Sequence, residues 1–309
     1  MSLELNLPSP IELLDYDLFN EKGVSVYVKR DDLIHPVISG NKWRKLKLNI
    51  ERVKSGRYEG IISFGGAYSN HISALAALGK EMNIPTIGII RGEELNENSN
   101  DTLIQASTDG MKLVFVDREE YSWRYEVDYK NQLRIRFGNY LVVEEGGANY
   151  YGVLGCTEII GEIDIKVDQY ILATGTGTTT SGLLLAANNE KVIGVPVFKN
   201  GGFIRDDISK LLIYAGLDEE TLAEKMEQLT LETDYHFGGY GRYTQELIDF
   251  INHFYQKTGL KLDQIYTGKM FYTLCELIKS DKIPKGSTVM AIHTGGLQGT
   301  KSIKEQLIF

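Results

Sequence analysis

The chain has 309 residues, of which 42% are hydrophobic and 24% charged, and its formal net charge at pH 7 is −9. This is the composition of an ordinary folded protein, which excludes global disorder, and the length predicts two domains or one large α/β domain. An acidic chain repels nucleic-acid phosphates and anionic lipid, so we expect neither nucleic acid nor a membrane as a partner.

The cysteines and histidines exclude several further classes. Cys156 and Cys275 are far apart, so a disulfide scaffold and a thiolate zinc site are both excluded. The five histidines show no metal spacing, and we expect no metal. No apolar run approaches the roughly 18 residues that a membrane span needs, and the first residues do not resemble a signal peptide. The expected location is therefore cytoplasmic.

The predicted elements alternate between strands and helices along the chain. Strands are predicted at 23–33 (ending in a charged turn), 60–64, 84–90, 112–116, 141–144, 168–173, 192–197 and 288–293. Helices are predicted at 41–54 with Asn41 as N-cap, 71–82, 102–109, 121–137, 150–163 and 183–190, and then within 204–225 and 243–257. This alternation predicts an α/β fold with mostly parallel sheets. Several strands are continuous apolar runs, which is typical of sheets covered on both faces.

The segment TGTGTTTSG (174–182) follows a predicted strand and combines glycines with hydroxyl side chains. Glycines allow close approach to an anion, and loop amides, threonine hydroxyls and a helix N-terminus all attract it. A plain strand-to-helix turn is the alternative. A dinucleotide site is disfavoured because Thr180 replaces the third glycine of G-x-G-x-x-G and no acidic residue ends the next strand.

Other common reaction centres have no matching motif in the sequence. There is no P-loop motif, no H-E-x-x-H and no G-x-S-x-G. The remaining candidates for reactive residues are the lysines and the loops that follow strands.

The segment GNKWRKL (40–46) places Lys42 in the first turn of a predicted helix, beside its apolar stripe. A lysine gains nothing there from the helix dipole. It is either an ordinary solvated lysine or a lysine aimed into a cleft, where desolvation lowers its pKa and makes the amine a nucleophile for an aldehyde.

The segment GGAYSNH (65–71) places a hydroxyl, an amide and an imidazole at a helix start, beside free backbone amides. This combination suits a carboxylate, although Ser69 or Asn70 could simply cap the helix. A reactive lysine, a phosphate loop and a carboxylate loop together indicate pyridoxal 5′-phosphate acting on an amino acid.

At these residues the sequence resembles the 1-aminocyclopropane-1-carboxylate deaminase and D-cysteine desulfhydrase family. The resemblance covers nearly the whole chain, through VYVKRDDLIHPVISGNKWRKL, GGAYSNH, TGTGTTTSGL, GGYG, DQIYTGKM and HTGG. It implies the tryptophan-synthase-β fold, with two open, twisted, mostly parallel αβα domains and the cofactor between them. The larger domain would comprise residues 1–45 and 156–309, and the smaller, inserted domain residues 46–155. It also implies a homodimer.

The resemblance implies a role for each motif. Lys42 matches the lysine that binds the cofactor covalently, and Lys45 could reach its phosphate. The phosphate loop matches Thr176, Gly177, Thr178 and Thr179, and Thr294 falls where a residue near the pyridine nitrogen is expected. The substrate carboxylate loop matches Ser69, Asn70 and His71, with Tyr68 beside it.

Further roles concern the reaction itself. Asn70 also falls near the pyridine 3-oxygen, and Ser69 matches a group that takes part in proton transfer. Tyr240 and Tyr266 match two tyrosines that face the substrate. The predicted catalytic residues are Lys42, Ser69, Tyr240 and Tyr266.

Two positions depart from the family pattern. Thr267 stands where the deaminases carry a glutamate against the pyridine nitrogen, and a neutral partner makes the cofactor a weaker electron sink. This favours elimination of a good leaving group over opening of a cyclopropane. Tyr68 stands where both branches usually have glutamine, and a phenol there could change substrate size or orientation.

The function expected is that of a lyase of amino-acid metabolism acting on a small amino acid. The first hypothesis is α,β-elimination from D-cysteine, which gives pyruvate, ammonia and sulfide. The second is deamination of 1-aminocyclopropane-1-carboxylate to 2-oxobutyrate and ammonia. The third is a non-catalytic relative that binds the cofactor or an amino acid.

Overall fold

The computed structural model describes residues 3–309, which contain ten β-strands in two separate sheets. In chain order the strands are β1 (Ile11–Leu13), β2 (Ser25–Lys29), β3 (Ile61–Gly66), β4 (Thr86–Arg91), β5 (Lys112–Val116), β6 (Leu141–Val143), β7 (Gln169–Thr174), β8 (Lys191–Pro196), β9 (Leu229–Leu231) and β10 (Thr288–Ile292).

The larger sheet has the strand order β1-β2-β10-β7-β8-β9. Only β1 pairs antiparallel, and the other four pairings are parallel. Val289 pairs with Val26 on one side and with Gln169 on the other, so β10 joins the two halves of this sheet. The strand nearest one end of the chain is therefore flanked by strands from far earlier in the sequence.

The smaller sheet has the order β5-β4-β3-β6 and is parallel throughout. All of its strands lie within residues 61–143. The prediction of an α/β fold with mostly parallel sheets is confirmed.

Twelve α-helices cover the sheets in the described residues. They are α1 (Asp17–Lys22), α2 (Asn41–Arg52), α3 (Asn70–Met82), α4 (Asp101–Thr108), α5 (Arg118–Ser122), α6 (Val127–Phe137), α7 (Tyr150–Gly161), α8 (Thr178–Ala186), α9 (Ile204–Tyr214), α10 (Glu219–Glu227), α11 (Gln245–Thr258) and α12 (Thr267–Lys279).

Alternate residues of the central strands of the larger sheet enter opposite cores. Ile171 and Val289 pack with α1, α11 and α12, whereas Leu172 and Met290 pack with α7, α8 and α9. Because both faces are buried, these strands have continuously apolar centres, as in Tyr170–Ala173 and Val289–Ile292. The smaller sheet is also covered on both faces, by α2, α3 and α4 on one side and by α5 and α6 on the other.

Glycines let three helices approach one another beside the larger sheet. A Cβ on Gly155 of α7 would lie 1.9 Å from the carbonyl oxygen of Arg44 in α2. A Cβ on Gly182 of α8 would lie 2.4 Å from the Cβ of Cys156 in α7. The helix that carries Lys42 is thereby held close to the helix that follows the threonine-rich loop.

Several predicted boundaries were wrong. Asn41 is the first residue of α2 rather than its N-cap, and Gly40 precedes the helix with φ +64°. A Cβ on Gly40 would lie 1.9 Å from the carbonyl oxygen of Thr294, so the backbones of the two motifs meet there. The helix predicted at 183–190 begins at Thr178 and ends at Ala186. The single helix predicted at 121–137 is divided between α5, a 3-10 turn and α6.

The sequence reasoning missed α12 entirely. Its apolar residues recur at helical spacing, at Met270, Leu274 and Leu277, so a signal was present. The short β1, β9 and α1 were missed as well.

The two sheets divide the strands as the predicted two-domain organisation requires. The proposed boundaries after residues 45 and 155 fall inside α2 and α7, which pack against each other. The assignment of 1–45 and 156–309 to one domain and 46–155 to another stays a prediction.

Candidate active site

One large cavity lies where several parallel strands end. It has a volume of about 1250 Å³ and is lined by residues that follow β3, β7 and β10. The carboxyl ends of parallel strands are the usual ligand-binding edge of α/β sheets. All thirteen predicted site residues line this cavity: Lys42, Lys45, Tyr68, Ser69, Asn70, His71, Thr176, Gly177, Thr178, Thr179, Tyr240, Tyr266 and Thr294.

Lys42 lies at the start of α2 and is half-buried in the cavity wall, so it is not an ordinary solvated lysine. Burial and the neighbouring charge of Lys45 lower the pKa of Lys42 from its ordinary value of 10.5 to about 7. At neutral pH a large fraction of this amine is therefore unprotonated, which is the form that attacks a carbonyl carbon.

Asn41 connects Lys42 to the threonine-rich loop. Its Oδ1 accepts a hydrogen bond from Lys42 Nζ at 2.8 Å, and its Nδ2 donates to Thr179 Oγ1 at 3.0 Å. The sequence reasoning considered Asn41 only as a helix cap and missed this role. No local pattern relates two residues 138 positions apart, so the link required the structure.

The threonine-rich loop leads from β7 directly into α8. Gly177 adopts φ +78°, and a Cβ there would lie 2.8 Å from Ile208 Cγ1, so the turn requires glycine. No side chain caps α8, and its first backbone N–H groups lack partners within the helix. Such a helix start, surrounded by threonine hydroxyls, fits a phosphate group.

Lys45 supplies a cation beside this loop. It is 5% exposed, and its side-chain amine makes no hydrogen bond or ion pair within residues 3–309. Burial lowers its pKa. A buried lysine without an anionic partner is unfavourable alone, and a bound phosphate would neutralise it.

The GGAYSNH loop leads into α3, and Ser69 caps this helix, as the capping interpretation predicted. Ser69 Oγ accepts a hydrogen bond from the Ile72 N–H at 3.3 Å. The Ser69 hydroxyl hydrogen and the Asn70 side chain make no other bond in the described chain and remain free to bind a ligand. Tyr68 is 74% exposed, so its ring does not fill the cavity.

His71 is neutral and its Nε2 points toward β3 of the smaller sheet. Its Nε2 lies 2.8 Å from Ser63 Oγ, and that hydroxyl donates to the Val143 carbonyl, so Nε2 carries the hydrogen. Burial and the charges of Lys42 and Lys45 lower its pKa to about 3. Nδ1 is buried without a partner in the described residues and can only accept. The geometry does not favour His71 as a donor to a carboxylate, and its substrate-binding role stays a prediction.

Tyr240 and Tyr266 meet across the cavity. Tyr266 Oη donates to Tyr240 Oη at 3.4 Å, and the Tyr240 ring stacks on Phe198. Burial, and then the neighbouring Tyr240, raise the pKa of Tyr266. Its phenol is thus protonated at neutral pH and is a proton donor rather than a base.

Thr267 does not reach the cavity, whereas Thr294 does. Thr267 is fully buried, accepts a hydrogen bond from the Asp263 N–H at 2.9 Å and donates to Asp263 Oδ2 at 2.7 Å. Asp263 also accepts from the N–H groups of Ile265, Tyr266 and Thr267, which ties it to the start of α12. Thr294 is therefore the hydroxyl available near the expected ring position.

These features fit pyridoxal 5′-phosphate. The helix start and Lys45 suit its phosphate, the depressed pKa of Lys42 suits its aldehyde, and the cavity has ample room for both cofactor and substrate. No helix in residues 3–309 combines the length and apolar character that crossing a membrane requires. The fold and the cavity define a pyridoxal-phosphate enzyme.

Comparison with known proteins agrees with this class. A family model described as pyridoxal-phosphate dependent enzyme matches residues 5–295. A protein of Pyrococcus horikoshii, named as a candidate 1-aminocyclopropane-1-carboxylate deaminase, is 31% identical over 97% of this chain and 93% of its own. The mitochondrial bifunctional D-cysteine desulfhydrase/1-aminocyclopropane-1-carboxylate deaminase of Arabidopsis thaliana is 27% identical over 98% of this chain and 79% of its own.

A solved structure described as an ACC deaminase homologue covers 99% of this chain and 94% of its own, at 27% identity and a TM-score of 0.81. The chain belongs to the pyridoxal-phosphate-dependent enzymes and, within them, to the 1-aminocyclopropane-1-carboxylate deaminase and D-cysteine desulfhydrase family. The predicted family, enzyme class and cofactor are confirmed.

Proposed function

We propose that this enzyme catalyses α,β-elimination from D-cysteine or a related β-substituted D-alanine. With D-cysteine and water, the products are pyruvate, ammonia and hydrogen sulfide. The observation that carries the substrate preference is the hydroxyl of Thr294 at the cavity wall, where a carboxylate would strengthen the electron sink. Thiolate is a good leaving group and needs less electron withdrawal than a cyclopropane carbon.

Different residues of the chain bind the cofactor phosphate and the substrate carboxylate. Thr176, Gly177, Thr178 and Thr179 hold the phosphate together with Lys45, and the Ser69–Asn70 loop holds the substrate carboxylate. Bound pyridoxal 5′-phosphate would supply an electron sink for the substrate Cα. Lys42 would hold the cofactor through its amine.

Proton transfer follows from the pKa values. Lys42 Nζ, whose pKa is about 7, is matched to accept the Cα proton near neutral pH. The phenol of Tyr266, whose pKa is raised, keeps its hydrogen, and the pair of Tyr266 and Tyr240 is placed to donate toward the leaving sulfur. The lowered pKa of Lys42 supports Lys42 as the base in preference to a Ser69 or tyrosine relay.

The second candidate is deamination of 1-aminocyclopropane-1-carboxylate. The name of the Pyrococcus horikoshii relative favours it. Thr294, which is neutral and lines the cavity, argues against it. A homodimer and a cytoplasmic location also stay predictions.

The test is an assay of purified protein with D-cysteine, L-cysteine and 1-aminocyclopropane-1-carboxylate. We expect the visible absorption band of the cofactor to shift with D-cysteine, while pyruvate and sulfide form in equal amounts. Lys42→Ala should lose the covalent bond to the cofactor and all turnover. Formation of 2-oxobutyrate from the cyclopropane, with no pyruvate from D-cysteine, would reverse the ranking.

A further inference from the structure

Three arginines stand together on the wall of the large cavity. Arg91 ends β4, Arg118 begins α5, and Arg124 follows shortly after it. The same three side chains line an adjoining cavity of about 330 Å³, together with Tyr121 and Ser122. No carboxylate lines this smaller cavity.

The positive charge of this cluster is only partly neutralised. Arg124 Nε pairs with Glu145 at 2.8 Å, and its guanidinium packs on the rings of Tyr121 and Tyr125. The guanidinium groups of Arg91 and Arg118 form no ion pair or hydrogen bond within residues 3–309, and that of Arg91 lies over the Tyr121 ring, 5.7 Å from its centroid.

Carboxylates also line the large cavity. Glu144 is paired with Lys130 at 2.8 Å, and Glu94 and Asp207 lie on the same wall without reaching either arginine. A local excess of positive charge in a protein with net charge −9 favours an anionic ligand.

The hydroxyl of Tyr121 is a second and independent sign of a ligand. Tyr121 is 3% exposed, and its oxygen has no hydrogen-bond partner among the described residues. The Glu145 carboxylate lies near this hydroxyl, but it is paired with Arg124 and does not meet hydrogen-bond geometry with Tyr121. Burial, and then this carboxylate, raise the pKa of Tyr121, so the phenol keeps its hydrogen. A buried donor without an acceptor is costly, and a bound anion would satisfy it.

The cluster adjoins the loop assigned to the substrate carboxylate. Arg91 Nη2 lies 3.8 Å from the position that a Cβ on Gly66 would take, and Ser69 follows three residues later. The main cavity, at about 1250 Å³, exceeds the usual 300–1000 Å³ of small-molecule sites. The cavity therefore has more volume and more positive charge than D-cysteine would use.

We propose that Arg91 and Arg118, with the Tyr121 hydroxyl, form an anion subsite for a carboxylate carried by the leaving group of the substrate. The preferred substrates are then S-substituted D-cysteines with an acidic substituent. This inference rests on the proposed elimination and specifies its substrate class.

The reaction can be written for S-carboxymethyl-D-cysteine. The Cα proton goes to Lys42 Nζ, the Cβ–S bond breaks, and its electron pair leaves on sulfur, which takes a proton to give mercaptoacetate. Addition of one water to the remaining three-carbon fragment gives pyruvate and ammonia. No oxidant or reductant is required.

The kinetic test compares S-carboxymethyl-D-cysteine with S-carbamoylmethyl-D-cysteine, which has the same shape and no charge. We expect kcat/KM to favour the acid by about tenfold or more, the value of a charged hydrogen bond. The double variant Arg91→Met, Arg118→Met should abolish this preference through KM, with unchanged turnover of β-chloro-D-alanine. Arg134→Met, an exposed arginine of α6 away from the cavity, should behave as wild type. Equal kcat/KM values in the wild-type enzyme, or an unchanged preference in the double variant, would overturn the subsite.

A binding measurement separates the subsite from the reaction. Calorimetry with the cofactor-loaded enzyme, whose phosphate loop is occupied, and methylthioacetate, an unreactive mimic of the leaving half, should give a Kd about tenfold higher in the double variant. If no substrate yields pyruvate but this difference is found, the proposed function fails and the anion subsite stands. If pyruvate forms but methylthioacetate binds both proteins equally, the subsite fails alone.

Discussion

At the level of single residues, the site depends on two neighbouring lysines, of which Lys45 lowers the pKa of Lys42. Half-buried Lys42 and buried Lys45 lie in the same cavity wall, and neither faces a carboxylate at bonding distance. The amine of Lys42 must stay reactive, while that of Lys45 stays available to a phosphate. Desolvation lowers the pKa of both amines, and the charge of Lys45 lowers that of Lys42 further.

The first prediction concerns the titration of Lys42. Because its amine reacts only when unprotonated, labelling of the cofactor-free enzyme by acetic anhydride should rise with pH around a midpoint near 7. Lys45→Met removes the neighbouring positive charge and should move that midpoint upward. Peptide mass spectrometry after competitive labelling reads the extent of reaction at Lys42.

Two outcomes of the Lys42 titration would contradict this prediction. A midpoint close to the ordinary lysine value of 10.5 in the wild-type protein would mean that Lys42 is solvated and is not prepared for the cofactor. A midpoint that Lys45→Met leaves in place would mean that burial alone sets the pKa of Lys42.

Sequence reasoning could name the residues of the motifs but not their partners. Lys42, the threonine loop and the two tyrosines follow from spacing and from the family resemblance. Asn41, Asp263 and Tyr121 carry no local pattern, since each acts through contacts that the fold creates. The roles assigned to the motif residues stay predictions until variants are measured.

At the level of secondary-structure elements, α2 is anchored by a buried network of charges. Arg44 is fully buried and its Nη2 donates to Asp31 at 3.0 Å and to Glu162, just after α7, at 2.7 Å. Lys29 Nζ also donates to Glu162 at 2.7 Å. The helix that bears Lys42 is thus fixed to the end of β2 and to the end of α7.

The second prediction tests this network with Glu162→Gln. The change leaves the buried cations of Arg44 and Lys29 under-compensated and should lower the free energy of unfolding by about 3 kcal/mol. Urea unfolding at neutral pH measures it. Glu158→Gln is the matched control one turn earlier, in α7, because Glu158 is 41% exposed, lies 3.8 Å from Arg44 and pairs with the partly exposed Lys47. It should cost about 1 kcal/mol or less.

The same pair of variants should differ in acid. Burial alone would raise the pKa of Glu162, but hydrogen bonds from Arg44 and Lys29 outweigh it and lower the pKa to about 2. Its stabilisation is complete above the ordinary value of 4.5 and is lost as the pH falls toward 2. Glu162→Gln should therefore lose less stability than wild type over that interval, and parallel curves would contradict the assignment.

The third prediction concerns the turn that starts α8. Gly177→Ala places a Cβ 2.8 Å from Ile208 Cγ1 at φ +78°, so the loop must shift and cofactor affinity should fall by about tenfold or more. Gly216→Ala shares the strain of a positive φ, +94°, but meets nothing within 4 Å. Fluorescence titration of cofactor-free protein with pyridoxal phosphate should show weaker binding only for Gly177→Ala.

The elements themselves were predictable where hydrophobic periodicity was strong. The buried strands and α3, α9 and α11 follow directly from it. The start of α8 was missed because threonines in the first helical turn look like a loop. Elements without a periodic or apolar signal, such as β1 and β9, depend on the sheet edge that they join.

At the level of the whole molecule, the cavity is shared between two sheets that otherwise have separate cores. Residues from the smaller sheet's helices and loops and from the larger sheet's strand ends line it together. A ligand that contacts both sides couples their stabilities. Strand order across a parallel sheet leaves no mark in local sequence, so this arrangement could be inferred only through the family resemblance.

The fourth prediction uses the two tryptophans, Trp43 and Trp123, which both pack on the side of the smaller sheet. In cofactor-free protein, the fluorescence transition should occur at lower urea than the transition in circular dichroism, because the four-stranded side buries the smaller core. With saturating pyridoxal phosphate the two transitions should coincide at higher urea. Coincident transitions in the absence of cofactor would show that the two sheets unfold as one unit.

The central place of β10 has a consequence for protein synthesis. Residues 288–292 fill the gap between β2 and β7, and Thr294 directly after them accepts a hydrogen bond from the Asn41 N–H at 3.3 Å. On the ribosome, the smaller sheet can assemble from residues 61–143 while most of the larger one is still being translated. The larger sheet must wait with two open edges, which are ready templates for pairing with other chains. Cofactor binding is therefore among the last steps in the synthesis and folding of this enzyme. A nascent chain that stops before β10 is both inactive and prone to aggregate.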